Sequence, residues 1–354
     1  MIPNLAQTVA FIQKIELLLD LELFLVGGAV RDLLLGKNTK DFDFTTACIP
    51  DEIEHKIRQA GFKPYLLGKK FGTIGFKLEG DLIEITTFRH EIYKSNSRKP
   101  EVGFHSDIKY DLARRDLTIN AMAISSKAEI IDLFEGQQDL ERGIIRAVGD
   151  STQRFTEDPL RMLRAIRFAG QYKFEIENAT ATAISSNFWR LLDISKERWI
   201  MEMDLILALR DPSLALDLFK TLGLAQVILP EILYLDLDFE QLHIYQNFWL
   251  ATKLEILEIE PENVDQRWGA LLSHCIKPVI LLNYVRQNHQ LGILSLEKLE
   301  IEVKDFVNQI EIKQLLKSEF VVKMSLEQAL KIGKYLKFSN QRLKTIAQYL
   351  TDKY

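Results

Sequence analysis

The sequence predicts an α+β protein in which a mixed sheet with helices is followed by an all-helical region. A change of pattern along the 354 residues supports this division. Twelve of the 17 glycines lie at or before Gly149, with short β-branched or aromatic runs between them, which is typical of strands joined by turns. From Asp158 onward, apolar residues recur instead with the period of amphipathic helices, about 3.6 residues.

Each run of this kind predicts one element, because β-branched and aromatic residues favour extended backbone while a helical period needs a longer segment. The predicted strands are Leu23–Val26, Phe42–Thr46, Thr73–Leu78, Leu82–Phe88, Ile119–Ile124 and Glu129–Leu133. The predicted helices are Leu5–Leu19, Val30–Leu35, Asp51–Ala60, Leu160–Ala169, Ile200–Leu209, Ser213–Leu222 and Leu326–Tyr335.

Composition limits the functional classes. No stretch is long and apolar enough to cross a membrane, and the N-terminal apolar segment is interrupted by charges, so it predicts an amphipathic helix rather than a signal peptide. The two cysteines, Cys48 and Cys275, are far apart and lack the spacing of a zinc site or a disulfide framework. We therefore expect a cytoplasmic protein without a membrane partner.

The formal charge of −5 means that any nucleic-acid site must be a local basic patch. The region after Ile312 is rich in such residues, although a solvated helical face explains them equally well. The basic residues are Lys313, Lys317, Lys323, Lys331, Lys334, Lys337, Arg342, Lys344 and Lys353.

The first chemically informative block is the glycine pair Gly27–Gly28, which follows a predicted strand and precedes a helix. Backbone N–H groups at such a turn can bind phosphate, and Arg31 lies one turn into the helix. A glycine pair alone is more often an ordinary turn. The glycine pair therefore indicates a phosphate site only together with the residues that follow it.

Two aspartates, Asp41 and Asp43, follow the glycine pair at the start of the next predicted strand. Residues i and i+2 of a strand point to the same side, so two carboxylates there repel each other unless a cation lies between them. Oxygen ligands of this kind suit Mg²⁺, and Glu84 on a following strand is the best candidate for a third carboxylate. The alternatives are a solvated turn for the aspartates and a solvent-facing strand position for Glu84.

Two further blocks carry charged residues in order. Arg114 and Arg115 suit a triphosphate because guanidinium binds phosphate bidentately, although they are also typical of a surface salt-bridge cluster. In the next block, Asp158 and Arg161 lie at i, i+3, and Thr156 or Asp158 could cap a helix that begins near Pro159. The pair is either an intrahelical salt bridge or a reader of the amine and ring acceptor that cytosine and adenine share.

These blocks, in this order, resemble the class II tRNA nucleotidyltransferase and bacterial poly(A) polymerase family. The segment Asp132–Leu140 is similar to the family's hinge motif. The resemblance implies a polymerase-β-like nucleotidyltransferase head at residues 1–140, a helical neck with the base-selecting motif at 141–235, and a helical body with a shortened RNA-binding C-terminal region at 236–354. It also implies addition of CMP and AMP from CTP and ATP to the 3′ end of tRNA, with Mg²⁺ and without DNA.

The resemblance assigns a role to each matching residue. Asp41 and Asp43 would hold the metal ions, with Glu84 as the candidate third catalytic carboxylate. Gly27, Gly28 and Arg31 would bind the triphosphate, whereas Arg115, Asp116 and Asn120 would bind ribose and phosphates. Asp158 and Arg161 would read the base, with Glu157 and Arg164 fixing that pair or touching phosphate.

Two segments bear on the activity within the family. Residues 87–104 are similar to the flexible loop associated with switching from C to A addition, which favours full CCA addition. His274 and Cys275 replace the His-Asp pair of a related segment, so no phosphohydrolase activity is expected. The alternatives are an A-adding or poly(A) polymerase, a non-catalytic RNA-binding protein, and a small-molecule nucleotidyltransferase.

Overall fold

A computed structural model of the chain describes residues 5–37, 42–92, 101–229, 256–272 and 319–353. The chain divides into two compact units. Unit 1 contains Met1–Arg161 and Phe174–Asn187, and unit 2 contains Met162–Lys173 and Phe188–Tyr354. The three-part division at residues 140 and 235 stays a prediction.

Unit 1 alternates short helices with strands. Its helices are α1 (Leu5–Leu19), α2 (Gly28–Leu34), α3 (Pro50–Gln59), α4 (Ile108–Ala113), α5 (Gly136–Arg142), α6 (Ser151–Glu157) and α8 (Asn178–Asn187). Its strands are β1 (Phe24–Val26), β2 (Phe42–Thr46), β3 (Thr73–Leu78), β4 (Asp81–Thr87), β5 (Arg89–Ile92), β6 (Glu101–Phe104), β7 (Met122–Ser125), β8 (Ile130–Asp132), β9 (Ile144–Ile145) and β10 (Glu175–Ile176).

A six-stranded mixed sheet forms the centre of unit 1, in the order β3-β4-β2-β1-β7-β8. β2 and β4 are parallel, whereas the other neighbouring pairs are antiparallel. One face of β2 and β4 is buried through Phe42, Phe44, Ile83 and Ile85, which alternate with exposed residues along each strand. The alternation fixes the register, because a slip by one residue would expose the whole apolar set.

Unit 2 is helical wherever the structure describes it. Its helices are α7 (Leu160–Tyr172, which begins at the end of unit 1), α9 (Lys196–Leu207), α10 (Ser213–Thr221), α11 (Ala225–Ile228), α12 (Glu319–Tyr335) and α13 (Asn340–Lys353), together with a helical segment over residues 264–272. Helices α7 and α10 approach closely, because a Cβ at Gly170 would lie 2.6 Å from Cβ of Ala215. No helix of the described residues is long and apolar enough to span a membrane.

The predicted fold class is confirmed, and two local predictions are wrong. The strand expected over Ile119–Ile124 begins only at Met122, because Thr118–Asn120 forms a 3-10 turn. The short strand β10 interrupts the region after Asp158 that was expected to be all helical; it pairs in parallel with β9. His274 and Cys275 lie outside the described residues, whereas Cys48 is a free thiol.

Candidate functional site

The turn between β1 and α2 is built on Gly27. Its backbone has φ of 73° and ψ of −134°, a conformation that residues with a Cβ rarely adopt. A Cβ at this position would also lie 2.8 Å from Nη1 of Arg115. The second of the two arginines therefore lies directly over the glycine turn, although the two are far apart in sequence.

Arg31 joins the same turn from α2. Its side chain is buried, and its Nη1 donates to Oδ1 of Asn120 at 2.6 Å while Nη2 pairs with Asp32 at 2.9 Å. Asn120 in turn donates through Nδ2 to Oδ1 of Asp116 at 3.2 Å. Arg31, Asn120 and Asp116 thus form one hydrogen-bonded cluster beside the glycine pair.

Asp111 holds both arginines at the end of α4. This fully buried carboxylate accepts from Arg114 Nη2 at 2.6 Å and from Arg115 Nη2 at 3.0 Å. Burial raises the pKa of Asp111, but the Arg115 and Arg114 guanidiniums lower it by more, so its pKa lies below the usual value. The sequence contains one signal for this role of Asp111, which is its position three and four residues before the two arginines.

Arg115 has one donor that the described residues leave unsatisfied. Its Nε is buried and has no hydrogen-bond partner among them. A buried N–H without an acceptor is costly, which makes this Nε a candidate donor to a bound anion.

Asp43 and Glu84 lie side by side on the sheet. They are register partners on the parallel strands β2 and β4, where neighbouring strands are about 4.8 Å apart. Both residues are exposed and lie on the face opposite the buried Phe42, Phe44, Ile83 and Ile85. The structure therefore brings together the carboxylates from two separate sequence blocks.

Asp41 lies outside the described residues, and its predicted place beside Asp43 stays a prediction. Within the described part of the chain, no group of three or more His, Cys, Asp or Glu residues is placed to hold a metal ion. Of the three carboxylates predicted to hold the metal ion, the structure therefore describes two, those of Asp43 and Glu84.

The third block lies at the junction of α6 and α7. Asp158 caps α7, because its Oδ1 accepts from the backbone N–H of Leu160 at 3.1 Å, whereas Thr156 lies inside α6. Arg161 donates through Nη1 to Oε2 of Glu157 at 3.2 Å and through Nη2 to the carbonyl oxygen of Arg114 at 2.8 Å. The salt bridge of Arg161 is therefore formed with Glu157 at i, i+4.

Arg164 belongs to unit 2, where its Nη1 lies 3.7 Å from Oε1 of Glu202. Arg167 pairs with the other oxygen of Glu202 at 2.8 Å. The predicted role of Arg164 in holding the base-reading pair stays a prediction.

The hinge-like segment supports the 3-10 turn that carries Asn120. Asp132 accepts from the backbone N–H groups of Gly136 and Gln137 at 2.8 and 2.9 Å and so fixes the start of α5. A Cβ at Gly136 would lie 2.3 Å from the carbonyl oxygen of Thr118. Only glycine permits this approach, which keeps Asn120 in reach of Arg31.

The predicted flexible loop is described only at its two ends, β5 and β6, which pair as an antiparallel ribbon. In the C-terminal region, two residues of the predicted basic patch form ion pairs within unit 2. Lys337 contacts Glu197 at 2.8 Å, and Arg342 contacts Asp204 at 2.8 Å and Asp265 at 2.6 Å. Lys313 and Lys317 lie outside the described residues.

Comparison with known protein families accounts for this combination of motifs. The model described as the poly A polymerase head domain matches residues 23–146, and the model described as a probable RNA and SrmB-binding site of polymerase A matches residues 173–235. A CCA-adding enzyme of Pediococcus pentosaceus is 43% identical over 209 residues, which cover 59% of this chain and 52% of the relative. Over these residues the chain is similar to the class II tRNA nucleotidyltransferase and poly(A) polymerase family.

Solved structures of this family share the fold. The CCA-adding enzyme of Bacillus stearothermophilus in complex with CTP matches 99% of this chain and 83% of its own, with a TM-score of 0.59 and 27% identity. A tRNA nucleotidyltransferase complexed with a primer tRNA and an incoming ATP analog matches 92% of this chain and 97% of its own, with a TM-score of 0.55 and 27% identity. The chain spans about half the length of the curated relatives that it matches.

Proposed function

We propose that this chain transfers CMP and AMP from CTP and ATP to the 3′ end of tRNA without a template. The observation that supports this best is the meeting of distant sequence blocks at one turn, where Arg115 lies over Gly27 and Asn120 binds Arg31. Solved relatives at 27% identity are complexed with CTP, or with a primer tRNA and an ATP analog. In this chain, we propose that the cluster at the Gly27 turn binds the nucleoside triphosphate.

The triphosphate would bind between Arg115 and Arg31. Both guanidiniums are held in place by other residues, so little side-chain freedom is lost when they meet phosphate oxygens. The unsatisfied Nε of Arg115 supplies a further donor. Asp116 and Asn120, which are joined by a hydrogen bond, would bind the ribose.

A divalent cation fits the exposed carboxylates. Asp43 and Glu84 present hard oxygen ligands from adjacent strand positions, and Asp41 is proposed to complete the set. We propose Mg²⁺ because it accepts carboxylate and phosphate oxygens together. The bound cation would favour deprotonation of the primer 3′-hydroxyl and neutralise charge at the reacting phosphate.

Base selection is proposed for Asp158 and Arg161. The carboxylate accepts from an exocyclic amine, and the guanidinium donates to the neighbouring ring acceptor, a pattern present in cytosine and adenine. Arg161 has five N–H donors, and its contacts with Glu157 and Arg114 engage one on each terminal nitrogen. The fixed guanidinium retains donors for a base edge.

Asp43→Asn tests the chemistry directly. We expect at least a 100-fold loss of CMP transfer to tRNA at saturating Mg²⁺, because the amide is a neutral and weaker cation ligand. Asp81→Asn is the matched control, since Asp81 is an exposed aspartate at the start of the neighbouring strand β4. Transfer is measured as incorporation of labelled CMP, and thermal unfolding verifies that both variants are folded.

Normal turnover by folded Asp43→Asn would refute the metal assignment. An equal loss of CMP transfer in Asp81→Asn would show that the loss comes from removal of a negative surface charge near β4 and not from a metal ligand.

A further inference from the structure

The contacts around Glu157 extend to a residue without an assigned role, Arg154 on α6. Its Nη2 donates to Oε1 of Glu157 at 2.7 Å, while Arg161 donates to Oε2 of the same carboxylate at 3.2 Å. Glu157 thus lies between two guanidiniums, with one oxygen for each, and its Oε1 also accepts from Nε2 of Gln153 at 3.0 Å. Because Arg154 engages Oε1, Oε2 stays directed at Arg161.

Arg154 also ties this carboxylate to α4. Its Nη1 donates to the carbonyl oxygen of Ala113 at 3.0 Å, and Arg161 donates to the next carbonyl oxygen, that of Arg114, at 2.8 Å. Two arginines from α6 and α7 therefore bind consecutive carbonyls at the end of α4. These carbonyls immediately precede Arg115, which lies over the Gly27 turn.

The cluster is well protected from solvent. The side chains of Arg154, Glu157 and Arg161 are 13%, 12% and 9% exposed. By contrast, the Arg58–Glu54 pair on α3 has an arginine that is 56% exposed. Ion pairs shielded from water are screened less and hold a defined geometry more firmly than exposed pairs.

We propose that Arg154 is a positioning residue for nucleotide selection, acting through Glu157 on the orientation of Arg161. This inference rests on the proposed function, because it assigns base reading to Arg161. Arg154 touches neither the nucleotide nor the reacting atoms in this account. Without it, Oε1 of Glu157 keeps only the uncharged Gln153 amide among the partners described here, so the carboxylate turns toward Arg161 and rotates the guanidinium out of the plane of a base edge.

The test is the ratio of kcat/KM for CTP to kcat/KM for UTP, measured with the full chain on a tRNA ending at the discriminator base. We expect Arg154→Met to lower this ratio about tenfold, because small displacements of a positioning group are costly to specificity. At saturating CTP, kcat should change far less than the ratio. Arg58→Met removes a surface arginine from a comparable ion pair and should leave the ratio unchanged.

Arg154→Lys gives a second measurement should the methionine variant fail to fold. Lysine keeps the charge but lacks the planar fork that reaches Glu157 and the Ala113 carbonyl together, so the ratio should again fall. An unchanged ratio in a folded variant of either kind, even with a lower rate, would overturn the proposal and leave Arg154 a purely structural residue.

Failure of this inference is distinguishable from failure of the proposed function. If the wild-type chain transfers no nucleotide, the proposed function fails, and the affinities of the chain for CTP and UTP without RNA then decide the role of Arg154. The proposal requires a CTP preference that is present in the wild type and reduced in Arg154→Met.

Discussion

At the residue scale, single backbone positions determine where the charged groups lie. Gly27 combines a positive φ with a contact to Arg115 that leaves no room for a side chain. Gly136 plays a similar part at the carbonyl of Thr118. The sequence marks both glycines, but their partners are distant in sequence and become visible only in the folded chain.

Gly27→Ala is expected to weaken nucleotide binding as well as stability. The new Cβ meets Arg115 and forces it away from the turn, while the backbone strain costs about 1–3 kcal/mol. We expect the KM for CTP to rise at least tenfold and the melting temperature to fall. Steady-state kinetics and thermal unfolding measure the two effects.

Gly61→Ala is the matched control for this prediction. Gly61 has φ of 84°, but a Cβ there would meet nothing within 4 Å. It should lose stability with little change in KM. If Gly27→Ala raised KM no more than Gly61→Ala, Arg115 would not depend on this turn.

At the element scale, most strands and helices form where the sequence predicts them. α1 has the predicted bounds Leu5–Leu19, and β2 and β3 coincide with their predicted runs, because alternation and helical period report local backbone together with burial. At the junction of α6 and α7, Asp158 caps α7, and Arg161 forms a salt bridge with Glu157, the last residue of α6. Base reading by Asp158 and Arg161 stays a prediction.

The end of α4 could not be predicted because its contacts are non-local. Arg154 and Arg161 bind carbonyls that lie 41 and 47 residues away. A hydrogen bond to a backbone carbonyl requires no particular residue type there, so the sequence contains no signal for it. Asp111 is different, because it lies only three and four residues before its arginine partners and this spacing is visible in the sequence.

Asp111→Asn should destabilise the fold in a pH-dependent manner. Because the Asp111 carboxyl has a lowered pKa in the folded chain, its stabilisation is fully present above its unfolded pKa and is lost as pH falls through the folded pKa. We expect a deficit of about 3 kcal/mol near neutral pH, since the change leaves two guanidiniums with a neutral partner. Urea unfolding at several pH values measures the difference.

The difference between wild type and Asp111→Asn should stay constant from pH 7 to pH 5 and shrink only below about pH 4, the ordinary range of an aspartate. A difference that already shrinks between pH 7 and pH 5 would mean that the folded pKa is raised, and it would contradict the role of Arg114 and Arg115.

At the scale of the whole molecule, the match to the poly A polymerase head domain covers residues 23–146, and the activity is proposed from the site of unit 1. The ordered blocks indicated the family from sequence, and the structure brings Arg31, Arg115 and Asn120 from two of these blocks to the same turn. The division into head, neck and body stays a prediction, as does any role of the C-terminal basic residues in binding RNA. Arg342 and Lys337 are engaged with carboxylates within unit 2.

The most direct measurement is nucleotide incorporation by the wild-type chain into three tRNA transcripts, which end at the discriminator base, at C and at CC. Each transcript is supplied with CTP, ATP or both, with Mg²⁺ or with a chelator. We expect CCA to be completed on all three transcripts when both nucleotides and Mg²⁺ are present, and nothing to be added with the chelator. Addition of A alone to the CC-ended transcript, long A tails, or no incorporation by the folded chain would contradict it.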